Sequence, residues 1–244
     1  MKNKALVICG PTATGKTKFA LDLAKEFDGE LISADSRQVR KGKDIITGKD
    51  LPPESTWVDT KPGYYDLGYT KIWLYDVVSA TKEFSVALWH DLAVQVIEDI
   101  LSRGKLPIVA GGTGLYIKSL THHLEDINAP RDKKLRQQLS GKDVNYLFKY
   151  LKSLDIDRAE RLNASDRLNP RRLVRAIEIA SHAGSSKYQV VRRYDFLQIG
   201  LTAAKTELFR RVDKRVDERI AAGAAREDPL LAANPVLWQE SEHH

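Results

Sequence analysis

Apolar and polar positions along the chain follow two periods. KALVIC (4–9) is a short apolar run that ends at Gly10-Pro11, the signature of a buried strand running into a turn. Over 16–27, Phe19, Ala20, Leu23, Ala24 and Phe27 recur at helical spacing. ELISA (30–34), IWLYDVV (72–78), LPIVAGG (106–112) and LQIGL (197–201) predict further strands. Ser85 to Arg103 predicts a long amphipathic helix closed by Gly104, and Lys205 to Gly223 a long charged one. Strands alternating with helices at this spacing imply βαβ units, hence an α/β fold with a parallel sheet covered on both faces.

Between about 121 and 190 the strand pattern stops. DKKLRQQL, NYLFKYLKSL and PRRLVRAIEIA are all helical in period, with Pro130 and Pro170 where a first helical residue would stand. The expected organisation is a core formed by 1–121 with 191–244 and a helical insertion over 122–190. From Arg226 onward there are two prolines and little periodicity.

Charge sharpens this division. The chain carries a formal net charge of +6 and a pI near 9.2. Residues 131–193 hold 16 basic and 7 acidic side chains, whereas 1–120 hold 16 and 15. A near-neutral core with a basic helical segment fits a polyanion-binding region, although a solvated helical face has the same composition. With 42% apolar and 30% charged residues, composition excludes disordered, collagen-like and disulfide-scaffold classes. No apolar run approaches the roughly 20 residues that span a bilayer. The start, MKNKALVICGPT, is broken too soon for a signal peptide, and Cys9 is the single cysteine, so a cytoplasmic protein without membrane partners is expected.

Gly10-Pro11-Thr12-Ala13-Thr14-Gly15-Lys16-Thr17 fits the pattern GxxxxGK[ST] between a predicted strand and a predicted helix. Gly10 and Gly15 let successive backbone N–H groups turn inward around phosphate oxygens, joined by Thr12, Ala13 and Thr14 of the loop. The helix N-terminus adds positive partial charge, Lys16 can bridge phosphates, and Thr17 offers a hydroxyl to Mg²⁺. The fold class is therefore a P-loop NTPase-like three-layer sheet with a small helical insertion domain. The motif implies a bound di- or triphosphate without saying which.

Two carboxylates follow apolar strands. Asp76 comes after IWLY, and Asp35 closes ELISA and opens Ser36-Arg37-Gln38-Val39. Ligands of open parallel sheets sit at the carboxyl ends of strands, which places Asp35 at the mouth of the phosphate loop. Asp also suits a helix N-cap. A second glycine turn, Gly111-Gly112-Thr113-Gly114, leaves another strand end and would let Thr113 approach a ligand, unless it is a packing turn.

GPTATGKT, ISADSRQV, GGTGLYI, RLVRAIEI and LFRRVDKRVDERI occur in this order and spacing, and together they closely resemble the tRNA dimethylallyltransferase (isopentenyltransferase) family over roughly residues 4–225. The resemblance implies transfer of a dimethylallyl group from dimethylallyl diphosphate to N6 of adenosine 37, beside the anticodon, with diphosphate released. The P-loop then holds the donor diphosphate, with Mg²⁺ on Thr17. Asp35 matches the family's general base, Thr113 a threonine of the same pocket, and Arg211 an arginine on the donor diphosphate. The segment Ser36, Arg37, Gln38 and Val39 matches the part that contacts the target adenine, where Gln38 could pair with a base edge. Arg172 and Arg175 match arginines that could reach an RNA phosphate. The basic insertion lies where the family grips the anticodon stem of tRNA, and the implied enzyme is a monomer.

The pattern departs from the family at Arg40, where a Tyr is usual, in DIITGKDLPP, and after ERIAAG, where residues 226–244 do not resemble the family's further helices. Within the same motif set three other readings stay open. One is an adenylate isopentenyltransferase acting on free AMP, ADP or ATP. The others are a P-loop nucleotide or small-molecule kinase and a non-catalytic RNA-binding relative.

Overall fold

The computed structural model describes residues 4–122, 129–182 and 194–227. Two compact units result, one within Met1–His123 and Arg192–His244, the other within Leu124–Val191.

The first unit begins with β1 (Lys4–Cys9), α1 (Lys16–Glu26), β2 (Gly29–Ser33) and the short α2 (Asp44–Thr47). It continues with β3 (Thr56–Val58), β4 (Tyr64–Asp66), β5 (Lys71–Trp73), α3 (Val86–Ser102), β6 (Leu106–Ala110) and α4 (Gly114–Thr121). The strands form one sheet in the order β3-β4-β5-β2-β6-β1 and then β7 (Asp195–Gly200), the strand that follows the second unit in sequence. From β5 to β7 all neighbours are parallel. Side-chain alternation builds a core on each face. Val7, Ile32 and Val109 meet Trp89, Ala93, Val96 and Ile97 of α3 on one side, while Ile8, Leu31 and Ile108 meet Ala20 and Ala24 of α1 on the other. Three layers result. α3 matches its predicted span: the Ser85 hydroxyl accepts the Leu88 N–H at 3.3 Å as N-cap, and Gly104 follows at φ 75°.

The sheet differs from the sequence expectation at one edge, where β3 and β4 are antiparallel to each other and β4 to β5. Three-residue strands are too short to show an alternating pattern. The run 72–78 is also not one strand. β5 ends at Trp73, after which Leu74 (φ 64°) and Asp76 (φ 55°) bend the chain sharply. This bend buries Asp76 against the ammonium of Lys49, whose side chain is 1% exposed, while the Tyr65 hydroxyl donates to the second Asp76 oxygen at 2.8 Å. Lys49 also donates to the Arg40 carbonyl at 3.0 Å and to Asp44 at 2.5 Å, so one buried cation ties the 40–50 loop to the end of β5. Asp76 is thereby a structural anion with both oxygens engaged, not a metal ligand.

In the second unit, α5 (Lys133–Leu139), α6 (Val144–Leu154), α7 (Ile156–Arg161), α8 (Ala164–Arg167) and α9 (Pro170–His182) enclose Leu139, Leu147, Leu151, Ala159, Leu173 and Ile177. Aspartate and asparagine side chains cap four of these helices, at Asp132, Asp143, Asp155 and Asn163. Pro170 opens α9 as expected. Pro130 does not begin a helix, because Asp132 takes the N-cap position and α5 starts at Lys133. The expected boundary at 190/191 lies outside the described residues.

Glu178 is fully buried at the centre of this unit. Its carboxylate accepts from Arg136 at 2.6 and 2.9 Å, from Arg175 at 3.1 Å and from the Asp132 N–H at 3.0 Å. Arg175 also donates to the Ala129 carbonyl at 2.8 Å. Arg175 therefore holds the unit together, whereas the sequence offered it as a phosphate contact, and Arg136 shares that structural role. Arg172 is exposed and ion-paired with Asp166.

Burial raises the Glu178 pKa, but the bonds from Arg136, Arg175 and Asp132 outweigh it and hold the carboxyl below its ordinary value. A depressed folded-state pKa contributes stability that is complete above the unfolded carboxylate range and is lost as pH falls through the folded value. Acid titration followed by the helical circular-dichroism signal should therefore show the Glu178→Gln variant with less loss of stability between about pH 5 and pH 3 than the wild type. Identical acid dependence of both proteins would remove Glu178 from this role.

Candidate active site

The carboxyl ends of β1, β2 and β6 bring the predicted site residues together. After β1 the phosphate loop passes through positive φ at Gly10 (146°), Ala13 (65°) and Gly15 (83°). Ala13 is the non-glycine residue among them, and its carbonyl accepts a hydrogen bond from Arg211 Nη1 at 3.3 Å. α1 starts at Gly15 with no side-chain cap, so its first N–H groups face the loop unmasked. Within the loop the Thr14 hydroxyl donates to the Pro11 carbonyl at 2.9 Å, and Lys16 Nζ to the same oxygen at 2.6 Å. Burial lowers the Lys16 pKa, with Arg215 acting in the same direction and Asp35 opposing. Thr12 is exposed and Thr17 half-buried at the helix start.

Asp35 is held on a clamped strand end. The indole N–H of Trp89, buried and stacked on Tyr116 at 4.5 Å, donates to the Ser33 carbonyl at 3.0 Å. The Ala34 N–H donates to Ala110 at 2.8 Å, and the Thr113 N–H donates back to Ala34 at 3.0 Å. The Thr113 hydroxyl accepts the Ser36 N–H at 2.9 Å and lies 3.3 Å from the Ser36 hydroxyl. Gly111 makes this closeness possible, since a Cβ there would overlap the Ala34 carbonyl. Asp35 does not cap a helix. Its Oδ1 accepts the Arg37 N–H at 2.8 Å in a local turn, which orients the carboxylate at the strand end. Its charge acts on Lys16, Tyr75, Tyr116 and Arg219, so it lies at the centre of the cluster. Tyr116 is pushed up to about 12, by burial first, with Asp35 adding and Arg40 opposing.

The next residues divide. Ser36 and Arg37 are exposed. Gln38 is buried, accepts from the Ser33 hydroxyl at 3.1 Å and donates to the Gly48 carbonyl at 2.8 Å; Val39 is 0% exposed in the main core. Both ends of the Gln38 amide are thus engaged within the protein, and neither side chain offers an edge to a base in this arrangement. Beside the turn, a cavity of about 330 Å³ is lined by Arg37, Arg40, Lys43, Ile46, Thr47 and Ala80. The Arg40 guanidinium is fixed there by the Ala80 and Lys82 carbonyls at 2.9 and 3.0 Å, which orient its charge without neutralising it.

α10 (Lys205–Ala221) supplies the remaining wall. Arg211, besides its contact with Ala13, is paired with Glu207 at 2.6 Å, so its guanidinium is held between the phosphate loop and its own helix. Glu207 is pulled down to about 2 by hydrogen bonds from Arg210 and Arg211. Two arginines missed in the sequence lie on the same face. Arg215 pairs with Asp50, and Arg219 acts on Asp35. Their spacing of four is a visible sign of one helix face, but in a helix this charged it looks like solvent-facing surface. A short 3₁₀ turn, Ala224–Glu227, follows, and the Glu227 carboxylate accepts the N–H groups of Asp44, Ile45 and Ile46 at 2.8–3.1 Å, capping α2.

A model of the IPP transferase family matches residues 38–239. The chain is 42% identical to the tRNA dimethylallyltransferase of Acetivibrio thermocellus, over 92% of this chain and 71% of that protein. The chain belongs to the IPP transferase family. Treponema denticola tRNA dimethylallyltransferase 2 is 39% identical, over 99% of this chain and 78% of its own length. Among solved members, the tRNA isopentenylpyrophosphate transferase of Bacillus halodurans superposes with a TM-score of 0.60 at 34% identity, covering 93% of this chain and 69% of that one. A eukaryotic dimethylallyltransferase acting on tRNA gives 0.72 at 28%, covering 95% and 56%. These neighbours share the P-loop NTPase-like fold, and in this chain the two glycine turns and Asp35 lie together at the carboxyl ends of β1, β6 and β2. Among the described residues no helix is long and apolar enough to cross a membrane.

Thr113→Val keeps the shape of the side chain and removes the acceptor of the Ser36 N–H. Losing one such bond, about 1 kcal/mol, should speed amide exchange at Ser36 roughly fivefold in nuclear magnetic resonance or mass spectrometry. Unchanged exchange at Ser36 would show that Thr113 does not hold the Asp35 turn.

Proposed function

We propose that this protein transfers a dimethylallyl group from dimethylallyl diphosphate to N6 of an adenosine in tRNA, adenosine 37 beside the anticodon. The observation that carries this reading is the meeting of a phosphate-binding loop and a clamped, half-exposed Asp35 at the carboxyl ends of β1 and β2, the two strands that flank β6. An enzyme that only moved phosphate would call for a strand-end Asp on Mg²⁺, and Asp76, the other candidate, is buried on Lys49 and Tyr65.

In this reading the N–H groups of the loop from Gly10 to Gly15, the start of α1, Lys16 and Arg211 hold the donor diphosphate. Their dipoles and charges act most strongly as the bridging oxygen gains charge on leaving. The N6 lone pair attacks the allylic carbon, the carbon–oxygen bond to diphosphate breaks, and the N6 proton passes to the free Oδ2 of Asp35. Oδ1 stays on the Arg37 N–H, so the base is oriented before substrate arrives. Mg²⁺ fits as an ion carried by the diphosphate, because Mg²⁺ keeps several waters and needs few protein ligands. Thr17 would supply the protein oxygen, and no cluster of three or more His, Cys, Asp or Glu among the described residues could cage a metal. When bound, the ion would neutralise part of the leaving group's charge.

The acceptor must be splayed from its anticodon loop to reach the crevice. The cavity lined by Arg37, Arg40 and Lys43 suits the negatively charged backbone beside it. Phosphates of the stem would meet the exposed cations of the helical unit, Lys133, Lys134, Lys149 and Arg171 among them, rather than Arg136 or Arg175. The basic unit favours tRNA over free adenine nucleotides as acceptor.

Incubation with radiolabelled dimethylallyl diphosphate and either tRNA or AMP, followed by nucleoside analysis, tests this reading. Label should appear in N6-modified adenosine from tRNA, and Asp35→Asn should reduce turnover by about 10² or more with diphosphate binding retained. Label in AMP alone would make the protein an adenylate transferase, and full turnover by Asp35→Asn would remove Asp35 as the base.

A further inference from the structure

Arg211, Arg215 and Arg219 stand at i, i+4 and i+8 on α10 and share one face. The row runs along the crevice. Arg211 donates to Ala13 of the phosphate loop, Arg215 acts on the charge of Lys16, and Arg219 acts electrostatically with Asp35 and Asp50. Arg211 and Arg215 each have a carboxylate, Glu207 and Asp50. Arg219 makes no hydrogen bond or ion pair among the described residues, and its Nε is buried without a partner. A guanidinium cannot shed its charge, and a buried donor left unpaired is costly, so such groups in folded proteins call for a specific cause.

The neighbouring backbone supplies one. α2 ends at Gly48, at φ 60°, and the Arg219 guanidinium lies against the α-carbon, where a Cβ would overlap Nη2 and Cζ. The same Gly48 offers its carbonyl to Gln38, which is tied to Ser33 at the end of β2. Glu227 caps the other end of α2. The seat under Arg219 is therefore built from three separated parts of the chain.

We propose that Arg219, seated on Gly48, is a substrate ligand that donates to an anionic phosphate oxygen when the crevice is filled. The proposal rests on the prenyl-transfer reading of the site. It deepens that reading by adding a cation on the Asp35 side of the phosphate loop. Phosphate oxygens reach this position from two sources, the donor diphosphate or a phosphodiester flanking the acceptor adenosine. Either would take hydrogen bonds from the terminal nitrogens of the Arg219 guanidinium, which the buried Nε holds in place, and offset a local excess of positive charge: Lys16, Arg211, Arg215 and Arg219 stand with Asp35, Asp50 and a Glu207 that is shared with Arg210.

Arg219→Gln and Arg219→Lys test this by direct binding of inorganic diphosphate with Mg²⁺, and of an anticodon stem–loop RNA, alongside thermal unfolding. Loss of a charged hydrogen bond should weaken one of the two ligands about tenfold or more in Arg219→Gln, with Arg219→Lys losing less. Weaker diphosphate binding with unchanged RNA binding assigns the donor. Weaker RNA binding, with its salt slope reduced by about one phosphate contact, assigns the phosphodiester. A merely structural role would move the melting temperature and leave that slope unaltered. If Arg219→Gln does not fold, Arg219→Lys is read in the same way, with an expected loss of about three- to fivefold. Affinities of a folded variant within twofold of wild type for both ligands overturn the proposal, as does a wild type that binds neither. Neither assay needs prenyl transfer, so a wild type that binds both ligands but transfers no label contradicts the proposed function alone.

Discussion

The close approach of two strand ends, β2 and β6, is the constraint on which the rest of the site depends. Gly111 lies where only a hydrogen fits against the Ala34 carbonyl, and the hydrogen bonds between Ala34, Ala110, Thr113 and Ser36 close around that contact. Because two of these are backbone bonds at the ends of neighbouring parallel strands and the third is made by the Thr113 hydroxyl just beyond them, the position of Asp35 is set by the sheet rather than by a mobile loop. The Arg37 N–H then fixes one carboxylate oxygen and leaves the other for chemistry. Trp89, packed on Tyr116 and bonded to Ser33, carries the same constraint into the main core.

Electrostatics give the crevice its second property. Lys16 and the arginine row of α10 gather positive charge around one carboxylate, and burial already disfavours the charged form of Lys16. A diphosphate entering there relieves repulsion among cations and meets the unmasked N-terminus of α1. The carboxylates on the rim serve geometry instead. Asp50 and Glu207 hold arginines in place, Glu227 caps α2, and Asp76 anchors Lys49 in the interior.

The phosphate loop was legible in the sequence because its chemistry is local: eight consecutive residues between a strand and a helix specify backbone geometry and charge together. Asp35 was legible for a related reason, since an apolar run ending in a carboxylate places that group at a strand end. Gln38 and Val39 were not, because adjacency to Asp35 says nothing about which side chains turn into the core. Arg175 and Asp76 misled in the same way. Each is a charge whose partner, Glu178 or Lys49, is brought to it by packing and by no short-range pattern. The reach of Glu227 to α2 spans most of the chain, and the three-residue strands β3 and β4 offer too few positions for a period to appear.

The central claim is that Asp35 is the base between a loop-held diphosphate and an adenine amine. A crystal structure with an unreactive donor analogue and an anticodon stem–loop RNA addresses it directly. The account predicts the adenine N6 within about 3.2 Å of the free Asp35 oxygen and facing the allylic carbon, with the diphosphate on the N–H groups of the phosphate loop. An adenine whose N6 bonds another group, with Asp35 turned away from it, would contradict that claim.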